Sequence, residues 1–371
     1  MEKVPQACYG LAGSGCGVDE VKAAGGSKLG FVPPGCTAQS LLSQALFLGN
    51  VTNATREDCI WRRGNDRDNC PDPDVKYYMY TSKALSQRKQ VDVTGADWLR
   101  ANGWEPNDDT VVLIHGYGGM DGSFPMVVLR DVESKPPDVS REPITCKRDV
   151  VKLTERVMRG PPNSSAYLKN GSYNVFVVDW GPLCKPPCYA SAVHNLRPVA
   201  RCVSELFTFL RNSGASLQRT TCVGHSLGAH MCGLVSLYLL FRMHRIIALD
   251  PARPLVRASN RLRSVDANVV QVIHTNAGQF GEGGRLGIVD FCINGGREQP
   301  SCENRTHVAL CSHVRAVCYM AESINTATAR IAAPCSTRRC PSGSRRPGAL
   351  LGLGVPIIMG QHTPDRYRKQ Y

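Results

Sequence analysis

Residues 219–232 read RTTCVGHSLGAHMC, and Gly224-His225-Ser226-Leu227-Gly228 within them fit the pattern GxSxG. The pentapeptide alone is weak evidence, because a chain rich in Gly and Ser carries it often by chance. Its setting gives it weight. Arg219 to Gly224 reads as a strand and Leu227 to Phe241 as an apolar helix, so the serine sits on a strand-to-helix turn. Only small residues fit two positions before and two positions after a nucleophile held on such an elbow, which accounts for Gly224 and Gly228. The helix after Ser226 directs its positive N-terminus at the reacting oxygen. The competing reading is a Gly-rich turn with an ordinary serine.

Outward from this turn, short runs rich in β-branched residues recur: DTVVLIH at 109–115, YNVFVVD at 173–179, RIIALD at 245–250 and NVVQVIHT at 268–275. Val75 to Thr81 is a further strand, and Val193 to Leu210 has helical spacing at Val199, Val203, Leu206 and Leu210. Strands alternating with helices predict an α/β fold, a mainly parallel central sheet with helices on both faces. Residues 1–75 are rich in Cys, Gly, Pro and Asn. They read as disulfide-tied loops packed on the core, with at most a short helix near Ser40 to Leu48. Residues 76–371 then form the main domain, with a polar insertion at about 133–170 that holds Pro136, Pro137, Pro161 and Pro162.

The composition narrows the compartment. Seventeen cysteines lack the paired CxxC spacing of zinc sites and fit disulfides in an oxidising environment. The odd count leaves one thiol free or paired elsewhere. Sequons at Asn50, Asn53, Asn163, Asn170 and Asn304 support a secreted glycoprotein. Residues 1–10 contain no apolar leader, so a signal peptide has been removed or the start is missing. No apolar run reaches the roughly 18 residues that span a bilayer. The net charge is +13, yet no block of like charges argues for nucleic acid. A basic surface suits anionic lipid or a heparin-like polysaccharide, with Arg338-Arg339 and Arg345-Arg346 as candidate clusters.

A serine hydroxyl needs a base, and the base an orienting acid. In α/β-hydrolases these follow in the order Ser, acid, His. Asp250 ends the strand after Ser226; Asp266 and Asp290 are the alternatives. Four histidines follow: His274, His307, His313 and His362. His274 lies inside an apolar strand, where a hydrogen-bonded core imidazole is expected. His307 is in a short polar loop and His362 in the tail. His313 lies two residues after Cys311 on a loop leading into a helix from Val314 to Ile324, the best place for a base. Ester hydrolysis also needs backbone N–H donors for an oxyanion. Leu227 follows the nucleophile, and Tyr117 lies in HGYGG at 115–119, just after an early strand.

With these residues in place, the chain resembles the pancreatic-lipase-like family, which includes vertebrate lipases and insect-venom phospholipases A1. The similar segments are VLIHGYGG, YNVFVVDWG, VGHSLGAH, IIALDPARP, VVQVIHT, DFCINGGREQPSC and CSHVRAVCYMAESI, from about Tyr78 to Ile324. The resemblance implies an α/β-hydrolase fold and extracellular hydrolysis of lipid esters at a membrane or lipid surface, without a cofactor. It implies a triad at Ser226, Asp250 and His313 and oxyanion donors at Tyr117 and Leu227. It also implies a lid bridged by Cys302 and Cys311, with only Glu303 to Leu310 between them. A lid this short, with a short loop from Asn276 to Val289, is similar to phospholipases that need no interfacial activation; triacylglycerol is the other substrate. The family's calcium loop matches Arg261 to Val270, which keeps mainly Asp266, so no metal is expected. Neither the β-sandwich that binds colipase in vertebrate lipases nor colipase itself is expected for this chain. Two rival readings are a non-catalytic lipid-binding or yolk-type carrier, whose relatives have lost the nucleophile, and a heparin-anchored lipase.

Overall fold

The structure, a computed structural model, describes residues 7–10, 59–62, 70–82, 87–95, 97–130, 167–303, 307–335, 339–340 and 356–365. Its strands are β1 (Ala7–Gly10), β2 (Lys76–Thr81), β3 (Lys89–Gln90), β4 (Asp109–Ile114), β5 (Tyr173–Asp179), β6 (Thr220–His225), β7 (Arg245–Leu249), β8 (Val269–His274), β9 (Val289–Cys292), β10 (Ile331–Cys335) and β11 (Ile357–Ile358). They form one sheet in the order β11-β10-β1-β9-β8-β7-β6-β4-β5-β2-β3. From β5 across to β1 every neighbouring pair is parallel. Antiparallel pairs close both edges. This is the expected mainly parallel sheet.

The helices are α1 (Trp98–Ala101), α2 (Phe124–Arg130), α3 (Tyr167–Asn170), α4 (Tyr189–Asn212), α5 (Leu227–Val235) and α6 (Val308–Ile324). Alternate residues of a strand face opposite ways. Val112 and Ile114 therefore pack with Leu196, Val203, Met231 and Leu234 of α4 and α5. Val111 and Leu113 pack on the other side with Met126, Tyr167, Val317 and Met320 of α2, α3 and α6. Helices cover both faces, and the apolar runs β4 to β8 are strands buried on both sides.

Several boundaries differ from the sequence reading. Residues 7–10, expected in a loop, form β1 between β9 and β10. The end of the polar insertion belongs to the core, because Tyr167 and Leu168 of α3 are buried. The proposed helix to Phe241 stops at Val235, where the Ser236 hydroxyl donates to the Gly233 carbonyl at 2.6 Å. Leu237 and Leu240 beyond it are exposed and offer no packed face to extend the helix. His313 lies inside α6 rather than on a loop before it, because Val308, Ala309 and Leu310 supply the first turn. The predicted helix near Ser40 to Leu48 lies outside the described residues.

Five disulfides join described residues. Cys59–Cys188 and Cys70–Cys202 fasten the segment before β2 to α4. Cys222–Cys232 links β6 to α5, and Cys292–Cys340 and Cys302–Cys311 hold the other side of the sheet. Cys184 is a buried free thiol among the described residues.

The elbow between β6 and α5 rests on close backbone approach. A Cβ on Gly228 would overlap the Ile114 carbonyl and lie 2.6 Å from that of His115. Gly122 has open space where its Cβ would go. Gly228→Ala is expected to cost about 1–3 kcal/mol in urea unfolding, and Gly122→Ala to stay within about 0.5 kcal/mol. Equal stabilities would contradict the tight packing.

Candidate active site

Ser226 lies between β6 and α5 with φ 58°, a left-handed conformation that costs an L-residue energy and is held by the surrounding backbone. Its N–H donates to the Leu249 carbonyl at 3.0 Å, and its own carbonyl accepts from Ala252 N–H at 3.1 Å. The register His225↔Leu249 sets Ser226 beside Asp250, both at the carboxyl ends of parallel strands. Clefts at this edge are where open α/β sheets bind ligands. Ser226 Oγ has no hydrogen-bond partner among the described residues and keeps a small accessible surface.

The Asp250 carboxylate is fully buried. One oxygen accepts the N–H groups of Thr275 and Asn276 at 2.8 and 3.0 Å. The other lies 2.6 Å from His313 Nδ1. A carboxylate accepts, so Nδ1 carries a proton; in the neutral imidazole this tautomer keeps the lone pair on Nε2. His313 stands beside His225, the neighbour of Ser226: their ring centroids are 4.8 Å apart. His225 Nε2 lies 3.3 Å from the His313 carbonyl. The Phe280 ring flanks His313 at 5.7 Å. Gly281 packs so closely on Asp250 that an added Cβ would stand 2.5 Å from its carboxylate.

The loop after β4 reaches the same place. A Cβ on Gly116 would lie 2.6 Å from Ser226 Cβ. Gly118 N–H donates to the Cys184 carbonyl at 2.9 Å and Gly119 N–H to that of Gly116 at 3.2 Å. The N–H groups of Tyr117 and Leu227 have no acceptor among the described residues. The Tyr117 ring meets that of Tyr189 edge-on at 5.0 Å.

A family model described as Lipase matches residues 39–341, most of the chain. The chain belongs to the lipase family. It is 34% identical over 180 residues to Lipase member H-A of Xenopus laevis, covering 47% of this chain and 39% of that protein. It is 35% identical over 173 residues to Phospholipase A1 of Dinoponera quadriceps, covering 42% and 44%. It is 35% identical over 194 residues to Phospholipase A1 of Vespula maculifrons, covering 48% and 64%. Each match spans less than two thirds of the relative's own length. A solved phospholipase/carboxylesterase from Dyadobacter fermentans aligns over 64% of this chain and 95% of its own, with 11% identity and a TM-score of 0.31.

The other candidates of the sequence lie elsewhere in this lipase-family chain. Asp290 pairs with His274 at 2.9 Å, both buried. Burial opposes a charge on His274, but Asp290 outweighs it and holds the imidazole above its ordinary range. Asp266 is bound by Arg263, at 2.8 Å from the backbone N–H and 3.0 Å from Nε. With that carboxylate engaged, Arg261 to Val270 does not fit a calcium ion. Among the described residues no group of three or more His, Cys, Asp or Glu is placed to hold a metal. His307 precedes the first residue of α6, and His362 Nε2 lies 2.9 Å from the Ile324 carbonyl. Cys302 and Cys311 are bridged as expected. Asn50, Asn53, Asn163 and Asn304 lie outside the described residues, and only the backbone of Asn170 is described.

Three residues that brace the site lie in segments that resemble the family, but their bracing role was not read from the sequence. His115 Nδ1 lies 2.9 Å from the Gly116 carbonyl while Nε2 accepts Trp180 N–H at 3.1 Å, so the imidazole holds the loop of Tyr117. Trp180 Nε1 returns a bond to the His115 carbonyl at 3.0 Å. The buried Gln299 side chain donates to the carbonyls of Thr275 and Ile293 and accepts from Tyr319, tying the turn under Asp250 to α6. These partners are far apart in sequence, which is why periodicity did not reveal them.

Two further buried histidines stay neutral. Burial, then the nearby His313, pushes His225 down to about 3. Burial pushes His230 down to about 4, against the opposing effect of the Ala252 carbonyl. His230 Nε2 lies 2.6 Å from that carbonyl, and Nδ1 accepts Leu262 N–H at 3.0 Å, which leaves no place for a second proton. The unfolded chain takes up a proton near pH 6.5; the folded chain does not until about pH 4. Between these values His230 lowers stability as pH falls, by up to about 1.4 kcal/mol per pH unit. Urea unfolding of His230→Gln should therefore show a flatter pH dependence from pH 6.5 to 4 than the parent. Parallel curves would contradict this account.

Proposed function

We propose that this protein is a secreted serine hydrolase that cleaves carboxylic ester bonds of lipids. The observation that carries the reading is the buried Asp250–His313 hydrogen bond of 2.6 Å beside a serine held at positive φ. Ser226 Oγ attacks the ester carbonyl carbon as its proton passes to His313 Nε2. Asp250 fixes the imidazole tautomer and stabilises the imidazolium. The N–H groups of Tyr117 and Leu227 receive the oxyanion. His313 protonates the leaving alcohol, and an acyl-enzyme remains on Ser226. Water then attacks the acyl carbon with His313 as base, releasing the fatty acid and the serine. Both halves transfer the acyl group and protons without any change of oxidation state, so the residues present suffice without a cofactor.

Phospholipid is the favoured substrate class, with cleavage of the phospholipase A1 type. Its support is the lid, whose bridged cysteines are only 9 residues apart, and the relatives named phospholipase A1. Secretion is supported by the disulfides; no helix among the described residues is long and apolar enough to cross a membrane. The intact Ser226 sets the chain against a carrier role.

Fatty-acid release from phosphatidylcholine vesicles and from triolein emulsion tests both levels. Phosphatidylcholine should be the better substrate. Ser226→Ala should lower turnover by about 10⁶, and Asp250→Asn by about 10⁴. A folded Ser226→Ala protein with parental turnover would refute the mechanism. Faster triolein hydrolysis would refute the substrate class.

A further inference from the structure

His274 ends β8 and Asp290 lies on β9, and both side chains are buried. Val272 pairs with Asp290 across the two strands, so His274, two residues on, projects from the same face of the sheet. Its Nε2 lies 2.9 Å from Asp290 Oδ1, and its Nδ1 lies 3.1 Å from the Glu282 carbonyl oxygen. Asp290 is itself an acceptor of backbone donors: Oδ1 also takes Leu286 N–H at 3.0 Å, and Oδ2 takes Gly287 N–H at 3.1 Å. A carboxylate and a carbonyl oxygen only accept hydrogen bonds, so both ring nitrogens of His274 must donate. An imidazole that donates twice is a cation. Among the described residues the His313 ring makes one such bond, through Nδ1, and its partners leave it free to be neutral.

The chain on either side of these bonds wraps the catalytic carboxylate. The two residues after His274, Thr275 and Asn276, give their N–H groups to Asp250. Gly281 N–H then donates to the Asn276 carbonyl at 3.1 Å, and Glu282 N–H to the Pro251 carbonyl at 2.8 Å. This turn stands Phe280 against the His313 ring and Gly281 against the Asp250 carboxylate. The bond from His274 to the Glu282 carbonyl closes the turn at its far end. Burial works against the charge of His274; Asp290 on β9 and then Asp250 at the end of β7 favour it. The Glu282 carboxylate attracts the same imidazole, and Arg261 and Arg253 in turn attract Glu282. His313 is bonded to Asp250 itself.

We propose that His274 is a buried imidazolium at neutral pH and the positioning residue of the Asp250–His313 pair. Its charge balances Asp290 and Asp250 in a region without water, and its Nδ1–H fixes the turn that carries Phe280 and Gly281. It touches neither substrate nor the reacting atoms and acts through Asp250. Loss of its proton leaves one ring nitrogen with a lone pair facing an oxygen. The bond to the neutral Glu282 carbonyl is the one given up, because the remaining proton stays with the charged Asp290. The turn then loosens from Asp250. Burial and the two carboxylates together raise the value at which His274 loses its proton, so activity falls as pH rises through that raised value. The part of the inference that concerns turnover rests on the reading of Ser226 as the nucleophile.

NMR of the histidine ring nitrogens in the full chain reads this charge directly. At about pH 7.5, where an ordinary histidine is largely neutral, one ring should keep both nitrogens protonated. That ring should be missing from His274→Gln. Asp290→Asn removes the counter-charge and should neutralise His274 at the same pH. It should also displace the downfield Nδ1 proton of His313 and move the alkaline limb of p-nitrophenyl butyrate hydrolysis down by about one pH unit. Its kcat should fall about tenfold while KM stays within about twofold of the parent. A parent protein with no doubly protonated ring would overturn the proposal, and this result needs no variant to fold. So would an Asp290→Asn protein whose His313 proton and alkaline limb keep their parental positions, the outcome of a purely structural pair. A doubly protonated His274 coupled to the His313 proton, in a protein inert toward the ester, would uphold the positioning role while refuting the hydrolase.

Discussion

Asp250 is a carboxylate with no contact with water, and the site is arranged around what that demands. An ion buried without partners would cost several kcal/mol, so its oxygens must be filled by donors. Thr275 and Asn276 supply two backbone N–H groups from the turn after β8, and His313 supplies one from α6. One side chain thus joins the end of β7, the turn after β8 and α6. Removal of any of the three donors would leave part of a buried charge unsatisfied. The same bond that stabilises the carboxylate also fixes which nitrogen of His313 is free to accept a proton.

The parallel sheet makes this possible by placing consecutive strand ends side by side. β6 delivers Ser226, β7 delivers Asp250, and β4 delivers Gly116 and Tyr117, three stretches well separated in sequence. Close glycine contacts then let three backbones meet: Gly228 against β4, Gly116 against Ser226, and Gly281 against Asp250. Beneath them, His115, Trp180 and Gln299 stiffen the loops through buried hydrogen bonds. Membership of the lipase family agrees with this arrangement.

The parts legible in the sequence were those with a local physical signature. β4 to β8 are apolar runs because both faces are covered, and the elbow shows in Gly224 and Gly228 because only glycine fits there. β1 and β9 went unread because each is only four residues long and its pairing is non-local. His313 looked like a loop residue because the polar stretch before Val308 hides the first turn of α6. α5 looked longer than it is because the apolar residues after Val235 suggest burial that does not occur. The choice among four histidines rested on resemblance; position alone left the others open. His274 and Asp290 illustrate the difficulty, since they form a second buried imidazole–carboxylate pair that a sequence pattern does not distinguish from the first.

The most direct measurement is covalent labelling of the native protein with a fluorophosphonate, followed by mass mapping of the modified peptide. A nucleophilic hydroxyl with an oriented base predicts a single adduct on Ser226 that disappears in His313→Ala. An unlabelled protein, or an adduct on another serine, would contradict the account.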